Sequence, residues 1–303
     1  MPLRESVDRI YVVSSPNRHH KTINGVDICY FQWNGAASCN VLLVHATGFH
    51  ARCWNATVEE LGSEYRITAI DMRGHGRSER KNPYDWPTFG KDLAQFVEVL
   101  DLRDTIGVGH SMGGHSLVQA CAAHPDRFKG LVLVDPVIFP SDSYTTPPKA
   151  QHNSVDLHPI SRRRNEWKSP QEMVASFEFR HPFNLWRKEC LCDYCFWGLI
   201  SAAEGQYELA CPPRVEASIY MGSRSMDISH LCETIQQPVV VMRAQVRDPD
   251  SQELDFSKSP TRSDLHLLFA NGDDRFLPHL SHFIPMQSPD LVAHEITRLA
   301  QLR

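Results

Sequence analysis

The chain has no apolar run long enough to cross a bilayer, a task that takes about 20 residues. Its N-terminus, MPLRESVDRI, carries charges where a secretory leader would place an apolar stretch. No membrane span is therefore expected, and the cytoplasm is the expected location. A large excess of one sign of charge is missing too. Lys and Arg number 31 against 36 Asp and Glu, a net charge of −5. That balance argues against nucleic acid as a partner. There is no internal repeat and no low-complexity tract. Cys190, Cys192 and Cys195 form a C-x-C-x-x-C string but lack a matching second pair, so no metal site is expected. The nine cysteines, an odd count in a chain too large to need staples, fit free thiols in a reducing compartment. Asn55-Ala56-Thr57 matches a glycosylation acceptor, discounted without a leader.

What is present is ordinary globular material, 42 % hydrophobic and 22 % charged over 303 residues. Strand-like runs fall at 9–15, 28–33, 41–45, 65–71, 105–110 and 130–136. Those at 41–45, 105–110 and 130–136 are continuously apolar, as expected of strands buried on both faces of a parallel sheet. Between them, 88–101 carries Phe89, Leu93, Phe96, Val97 and Leu100 on one helical stripe, with Thr88 as a plausible cap. A second helix, 112–123, stops at His124-Pro125.

The alternation breaks after Pro136. Residues 137–160 are proline-rich and polar, a connection, and 161–232 read as helical without a convincing strand. Strands resume at 238–244 and 264–272, and a last helix covers 289–302. This predicts an α/β fold: a mostly parallel twisted sheet of about eight strands flanked by helices. Residues 1–136 and 233–303 form the core, and 137–232 form a helical cap inserted after the sixth strand.

One short string carries chemistry. In GVGHSMGG (107–114), Ser111 stands at the junction of a buried strand and a helix. The G-x-S-x-G string alone is a weak signal. In a strand–turn–helix context it describes a tight turn that lifts a serine hydroxyl to the sheet's edge. The following helix aims its positive dipole end at the same point.

Four stretches then match one family in order. His45-Ala46-Thr47-Gly48-Phe49, with Trp54 nine residues on, resembles an oxyanion loop. Asp71 to Ser78 resembles a D-x-R-G-H-G-x-S turn. Ser111 takes a nucleophile position, and Ser281-His282-Phe283-Ile284-Pro285 resembles a C-terminal G-H-F-x-P with serine for glycine. Over nearly its whole length the chain resembles the α/β-hydrolase superfamily, as a capped esterase- or lipase-like member.

The resemblance implies a Ser-His-Asp triad with Ser111 as nucleophile and His282 as base. His279 is the competitor for the histidine role; His110 and His115 flank Ser111 but cannot easily face its hydroxyl from within the same turn. For the acid it implies Asp248, in the loop after strand 238–244, with Asp135 at the end of strand 130–136 as the alternative. Asp71 would hold the Arg73–Ser78 turn. The implied oxyanion donors are the backbone N–H groups of Met112 and Thr47; Ala46 replaces a common glycine. No metal and no cofactor is required.

Residues 177–197 hold seven of the 28 aromatics, with Cys190, Tyr194 and Trp197 spaced along one helical face. An apolar cap pocket involving Phe49, Trp186, Tyr194 and Trp197 is expected, and with it a small-molecule substrate with an apolar portion. Arg162-Arg163-Arg164 sits among acidic neighbours and reads as a solvated face. The expected activity is that of a serine hydrolase on a carboxylic ester, lactone or thioester. A small-molecule receptor of the same fold with slow turnover, or a C–C bond hydrolase or lyase with the same triad, are the alternatives.

Overall fold

The computed structural model of the protein describes residues 15–35, 39–145, 154–247 and 255–302. Eleven strands are described: β1 (Asn17–Ile23), β2 (Val26–Trp33), β3 (Asn40–Val44), β4 (Arg66–Ile70), β5 (Thr105–His110), β6 (Phe128–Val134), β7 (Glu166–Trp167), β8 (Leu199–Ser201), β9 (Tyr207–Leu209), β10 (Pro238–Arg243) and β11 (Asn271–Phe276). Eight of them form one sheet in the order β1-β2-β4-β3-β5-β6-β10-β11. The β1–β2 and β2–β4 pairs are antiparallel, and the rest are parallel.

Successive side chains of a strand point to opposite faces, and here each face has its own core. Leu42, Val44, Leu131, Leu133, Val239 and Val241 pack against the helices Trp86–Val99 and Met112–Ala123. Val41, Leu43, Ile106, Val108, Val132 and Val240 pack against Trp54, Val58, Val292 and Ile296 on the other side. Covering both faces is why these strands read as continuous apolar runs.

The helix Trp86–Val99 begins earlier than its apolar stripe. Its N-cap is Asp85, whose carboxylate accepts the Thr88 backbone N–H at 2.8 Å, so Thr88 is capped rather than capping. Phe89, Leu93 and Phe96 are fully buried, each worth about 1.5–3 kcal/mol relative to exposure.

Edge strands departed from expectation. Of the run 9–15, residues 9–14 lie outside the described residues. The first described strand is the polar NRHHKTI of β1, which pairs only with β2 and needs no apolar pattern. The run 264–272 divides instead. Leu265–Leu268 is a short 3₁₀ turn, with Leu265 and Phe269 buried, and the edge strand is the polar NGDDRF of β11. Its charges are paired laterally, Asp274 with Arg243 and Asp273 with Arg275.

Between β6 and β10 the chain leaves the sheet. This stretch includes the helices Pro170–Phe177, Lys188–Trp197 and Pro213–Met221. It also holds a small antiparallel sheet β7-β9-β8, where no strand was expected; strands of two or three residues are too short to show periodicity. The sheet side grips this excursion through its carbonyls. Arg77 donates to the Trp197 and Leu199 oxygens at 3.0 and 2.9 Å, and Arg80 to that of Leu209 at 3.0 Å. Trp86 Nε1 donates to the Ile219 oxygen at 2.8 Å. Among the described residues no helix is long and apolar enough to cross a membrane.

Candidate active site

The C-terminal ends of β5, β6 and β10 bring the site together. β5 ends at His110 and β6 at Val134, which are register partners, so Ser111 and Asp135 leave adjacent strands side by side. Ser111 N–H donates to the Val134 oxygen at 3.0 Å, and Asp135 N–H to the Met242 oxygen at 2.7 Å. Ser111 has φ 57° and ψ −117°, and Asp135 has φ 45°. For residues with a Cβ such backbone costs about 1–3 kcal/mol, held in place by the surrounding fold.

Glycine makes the serine turn possible. A Cβ on Gly113 would lie 2.3 Å from the Val44 oxygen, and one on Gly109 would lie 2.6 Å from the Gly113 backbone. The helix can start directly beneath Ser111 only because both are absent. Met112 is the first helical residue, so its N–H has no intrahelical acceptor and points out of the helix start.

His282 Nδ1–H donates to Asp135 Oδ2 at 2.7 Å, both groups being buried. Asp248 lies outside the described residues. The carboxylate that meets His282 Nδ1 is that of Asp135. The loop after β10 contributes in another way. Ser259 Oγ and Ala244 N–H donate to Asp135 Oδ1 at 2.5 and 3.0 Å, and Thr261 Oγ1 shares its one proton between the Pro136 oxygen at 2.7 Å and Asp135 Oδ1 at 3.2 Å. The sequence reading missed Ser259 and Thr261, since two hydroxyls in a polar loop carry no signal of their own.

The imidazole's backbone is fixed as well. His282 N–H donates to the Ser257 oxygen at 2.7 Å, and His110 Nε2–H to the His282 oxygen at 2.9 Å. Burial beside His282 holds His110 well below the usual histidine range, so it stays neutral. His115 bonds Gln119, and His279 is exposed. Ser281 takes up the glycine's place by bonding Gln287, through its N–H at 2.8 Å and through its hydroxyl. Among the described residues the Ser111 hydroxyl makes no hydrogen bond. Contacts of this kind are often long in the resting state and tighten with substrate.

Thr47 is buried in the loop that follows β3, and that loop is braced from the Asp71–Ser78 turn. Gly48 N–H donates to His75 Nε2 at 3.0 Å, and Ala51 N–H to Asp71 Oδ1 at 2.7 Å. Asp71 Oδ2 also accepts the Arg77 N–H, and a Cβ on Gly76 would lie 2.1 Å from that carboxyl. His45 Nδ1–H donates to the Ala46 oxygen at 2.7 Å while its Nε2 accepts from Met72 N–H. Burial pushes His75 down to about 4 and His45 well below the usual range. Both therefore keep the free ring nitrogen these bonds require. The bracing contacts of His75 and Asp71, 27 and 20 residues along the chain from their partners, were not readable from the sequence.

Over the site lies an aromatic cluster. Phe49 contacts Trp186, Tyr194, Phe283 and His110, with ring centroids 5.1–6.0 Å apart. Trp197 is not among them. Its ring lies under the Arg52 guanidinium at 4.1 Å and edge-on to Phe31, so it serves the join to the sheet. Phe283, Phe177 and Phe183 take part instead. The nine cysteines are free, and no group of three metal-ligating side chains occurs among the described residues.

A strained serine at a strand–helix turn, a buried imidazole–carboxylate pair and a braced loop on an eight-stranded, mostly parallel sheet define an α/β hydrolase. The chain belongs to the alpha/beta hydrolase family, which it matches over residues 41–295. Among known proteins it is similar to a non-heme chloroperoxidase of Streptomyces lividans, 36 % identical over 128 residues, 40 % of this chain and 46 % of that one. It is 31 % identical over 100 residues to a pimeloyl-[acyl-carrier protein] methyl ester esterase of Edwardsiella ictaluri, 33 % of this chain and 37 % of the relative. It is also 31 % identical over 116 residues to the lipase LipV of Mycobacterium tuberculosis, 37 % of this chain and 43 % of that one. The matches thus span less than half the length of each. By structure the fold is shared with an E-2-(acetamidomethylene)succinate hydrolase, TM-score 0.73 at 17 % identity over 95 % of this chain and 100 % of the other. It is shared too with a thermophilic esterase from Thermogutta terrifontis, TM-score 0.66 at 20 % identity over 94 % and 98 %.

Proposed function

We propose that the protein is a serine hydrolase that cleaves a small carboxylic ester with an apolar portion, through an acyl-enzyme on Ser111. The observation that carries this reading is the 2.7 Å pair of His282 Nδ1 and Asp135 Oδ2 beside a serine held at positive φ. The esterase and lipase among the similar proteins favour ester chemistry.

His282 Nε2 takes the hydroxyl proton as Ser111 Oγ attacks the ester carbonyl. Asp135 steadies the imidazolium that results, with Ser259 and Thr261 fixing the carboxylate. The backbone N–H groups of Met112 and Thr47 receive the oxyanion; preorganised donors of this kind are worth about 3 kcal/mol each. His282 then gives its proton to the departing alcohol. Water, deprotonated by the same imidazole, attacks the acyl-enzyme and releases the acid. Residues 137–232 act as a cap, and Phe49, Trp186 and Tyr194 give the substrate's apolar portion its wall.

The test is hydrolysis of p-nitrophenyl esters, acetate through decanoate, by the wild type and by Ser111→Ala. Repeated turnover by the wild type and none by the variant is the expected result. A folded wild type inert on the whole series, or an equally active variant, overturns the reading.

A further inference from the structure

Three consecutive arginines go to different places. Arg162 and Arg164 are exposed, and Arg164 pairs with Glu172 over the Trp167 ring. Arg163 instead bonds the Glu216 carboxylate at 2.5 Å and donates to the Tyr194 hydroxyl at 3.0 Å. This departs from the solvated face expected of the run, because the helix Pro213–Met221 sets a buried carboxylate against it.

The cluster touches the oxyanion loop. A Cβ on Gly48 would lie 2.6 Å from Glu216 Oε1, so that carboxylate rests against the residue after Thr47. The Tyr194 ring packs on Phe49 at 5.1 Å. Here lies a small cavity, lined among others by Gly48, Phe49, His50, Arg163, Tyr194 and Glu216. It has room for about one water molecule.

The chemistry of this cavity is one-sided. Its charge is balanced, since Glu216 answers Arg163 and burial keeps His50 neutral by pushing it down to about 3. What is left over is mostly donors, beside one Glu216 oxygen, Oε1, that takes no hydrogen bond among the described residues. Of the five guanidinium N–H groups, two are used among the described residues. The Tyr194 hydroxyl accepts from Arg163, and its own proton has no acceptor among the described residues. A hydrocarbon placed here would leave these donors unpaired. A carboxylate would have to share one guanidinium with Glu216, like charge against like. A neutral acceptor oxygen meets the donors without either penalty.

We infer that Arg163, Tyr194 and Glu216 form a specificity subsite beside the oxyanion loop for a neutral, hydrogen-bond-accepting group of the substrate, a keto or ether oxygen. Favoured substrates are then oxygenated esters rather than plain alkyl esters or half-esters of dicarboxylic acids. This deepens the proposed function and rests on the reading of Ser111 as nucleophile.

The test compares three p-nitrophenyl esters of similar size: pentanoate, 4-oxopentanoate and the succinate half-ester. In parallel, pentanamide and 4-oxopentanamide are titrated in a thermal-shift assay, which needs no turnover. For the wild type, kcat/KM on the 4-oxo ester exceeds that on pentanoate by about tenfold or more, and the succinate ester is poorest. The 4-oxo amide also stabilises the protein more than pentanamide. In Arg163→Met/Glu216→Gln, which removes both charges and so leaves none buried alone, both preferences fall toward one. Glu216→Gln alone frees the guanidinium and raises the succinate-to-pentanoate ratio about tenfold. A wild type that prefers pentanoate in rate and binding alike, or a Glu216→Gln variant that gains nothing on succinate, overturns the subsite. If no ester turns over, the hydrolase reading fails, and the two amides still decide whether the subsite exists.

Discussion

Ser259 donates its hydroxyl proton to Asp135 at 2.5 Å, on the carboxylate oxygen that His282 does not use. The loop after β10, where an acid was expected, thus supplies a donor to an acid borne by the neighbouring strand. Asp135→Asn is expected to lower kcat on a p-nitrophenyl ester by about 10⁴-fold, because an amide there favours the wrong imidazole tautomer. Asp248→Asn is expected to stay within a few-fold of wild type. Initial rates of the two purified variants decide between the carboxylates, and the reverse pattern would restore Asp248.

Ser259→Ala and Thr261→Val each remove one hydroxyl from Asp135 Oδ1. A hydrogen bond to a charged group is worth about 1.5–3 kcal/mol. The expected outcome is a loss of about tenfold in kcat for Ser259→Ala, a much smaller one for Thr261→Val, whose proton goes chiefly to the Pro136 oxygen at 2.7 Å, and little change in KM. Steady-state kinetics with the pH profile of kcat/KM separates this from simple misfolding, which would lower the active fraction without moving the profile.

His75 accepts the Gly48 N–H at 3.0 Å and thereby holds the loop that carries Thr47. His75→Phe keeps a ring in the site but offers no acceptor. Gly48 is half-buried, so leaving its N–H unsatisfied costs at most about 1–3 kcal/mol. Lower stability in urea and a fall in kcat larger than the change in KM are expected. Unchanged kcat would show that the loop does not depend on this bond.

The buried histidines set the acid limit of stability. Burial lowers His50 to about 3, and His75 and His115 to about 4, from the ordinary 6.5. Below 6.5 the unfolded chain binds protons that the folded chain refuses. These groups therefore stabilise the fold fully above pH 6.5, and their contribution is lost as pH falls toward 4 and then 3. Each costs at most about 1.4 kcal/mol per pH unit. Asp71 and Glu216, raised by burial, work in the opposite sense and shallow the slope. Urea midpoints measured from pH 8 to pH 4 should fall steadily below 6.5, and a flat profile would contradict this account.

Gly113 permits the serine turn, since a Cβ there would lie 2.3 Å from the Val44 carbonyl oxygen. The nearest atoms belong to the Val44 and His45 backbone rather than to a flexible side-chain end, so relief requires moving the helix or β3. Gly113→Ala is expected to fold poorly or to lose all turnover. Circular dichroism and ester hydrolysis on any protein recovered would check it, and wild-type behaviour would show that the turn has slack.

The sheet's centre was legible in the sequence because β3, β5, β6 and β10 are apolar on both faces, and only strands sandwiched between helix layers need that. Ser111 was legible for a local reason: the turn between β5 and its helix needs glycines at fixed neighbours, so the string marks the place. The edge strands β1 and β11 were not, since a strand paired on one side tolerates the polar runs NRHHKTI and NGDDRF. Nor was the partner of His282. Several aspartates follow or end a strand, and spacing cannot weigh them. Strand order places β6 between β5 and β10, which brings Asp135 to the imidazole and turns the β10 loop toward it. The inward turn of Arg163 was decided in the same way, by a carboxylate 53 residues along the chain. Local pattern determined the sheet's middle and the serine turn, because both are written in neighbouring residues. Pairings across the chain depended on which surfaces folding brings together, and only the tertiary structure decided them.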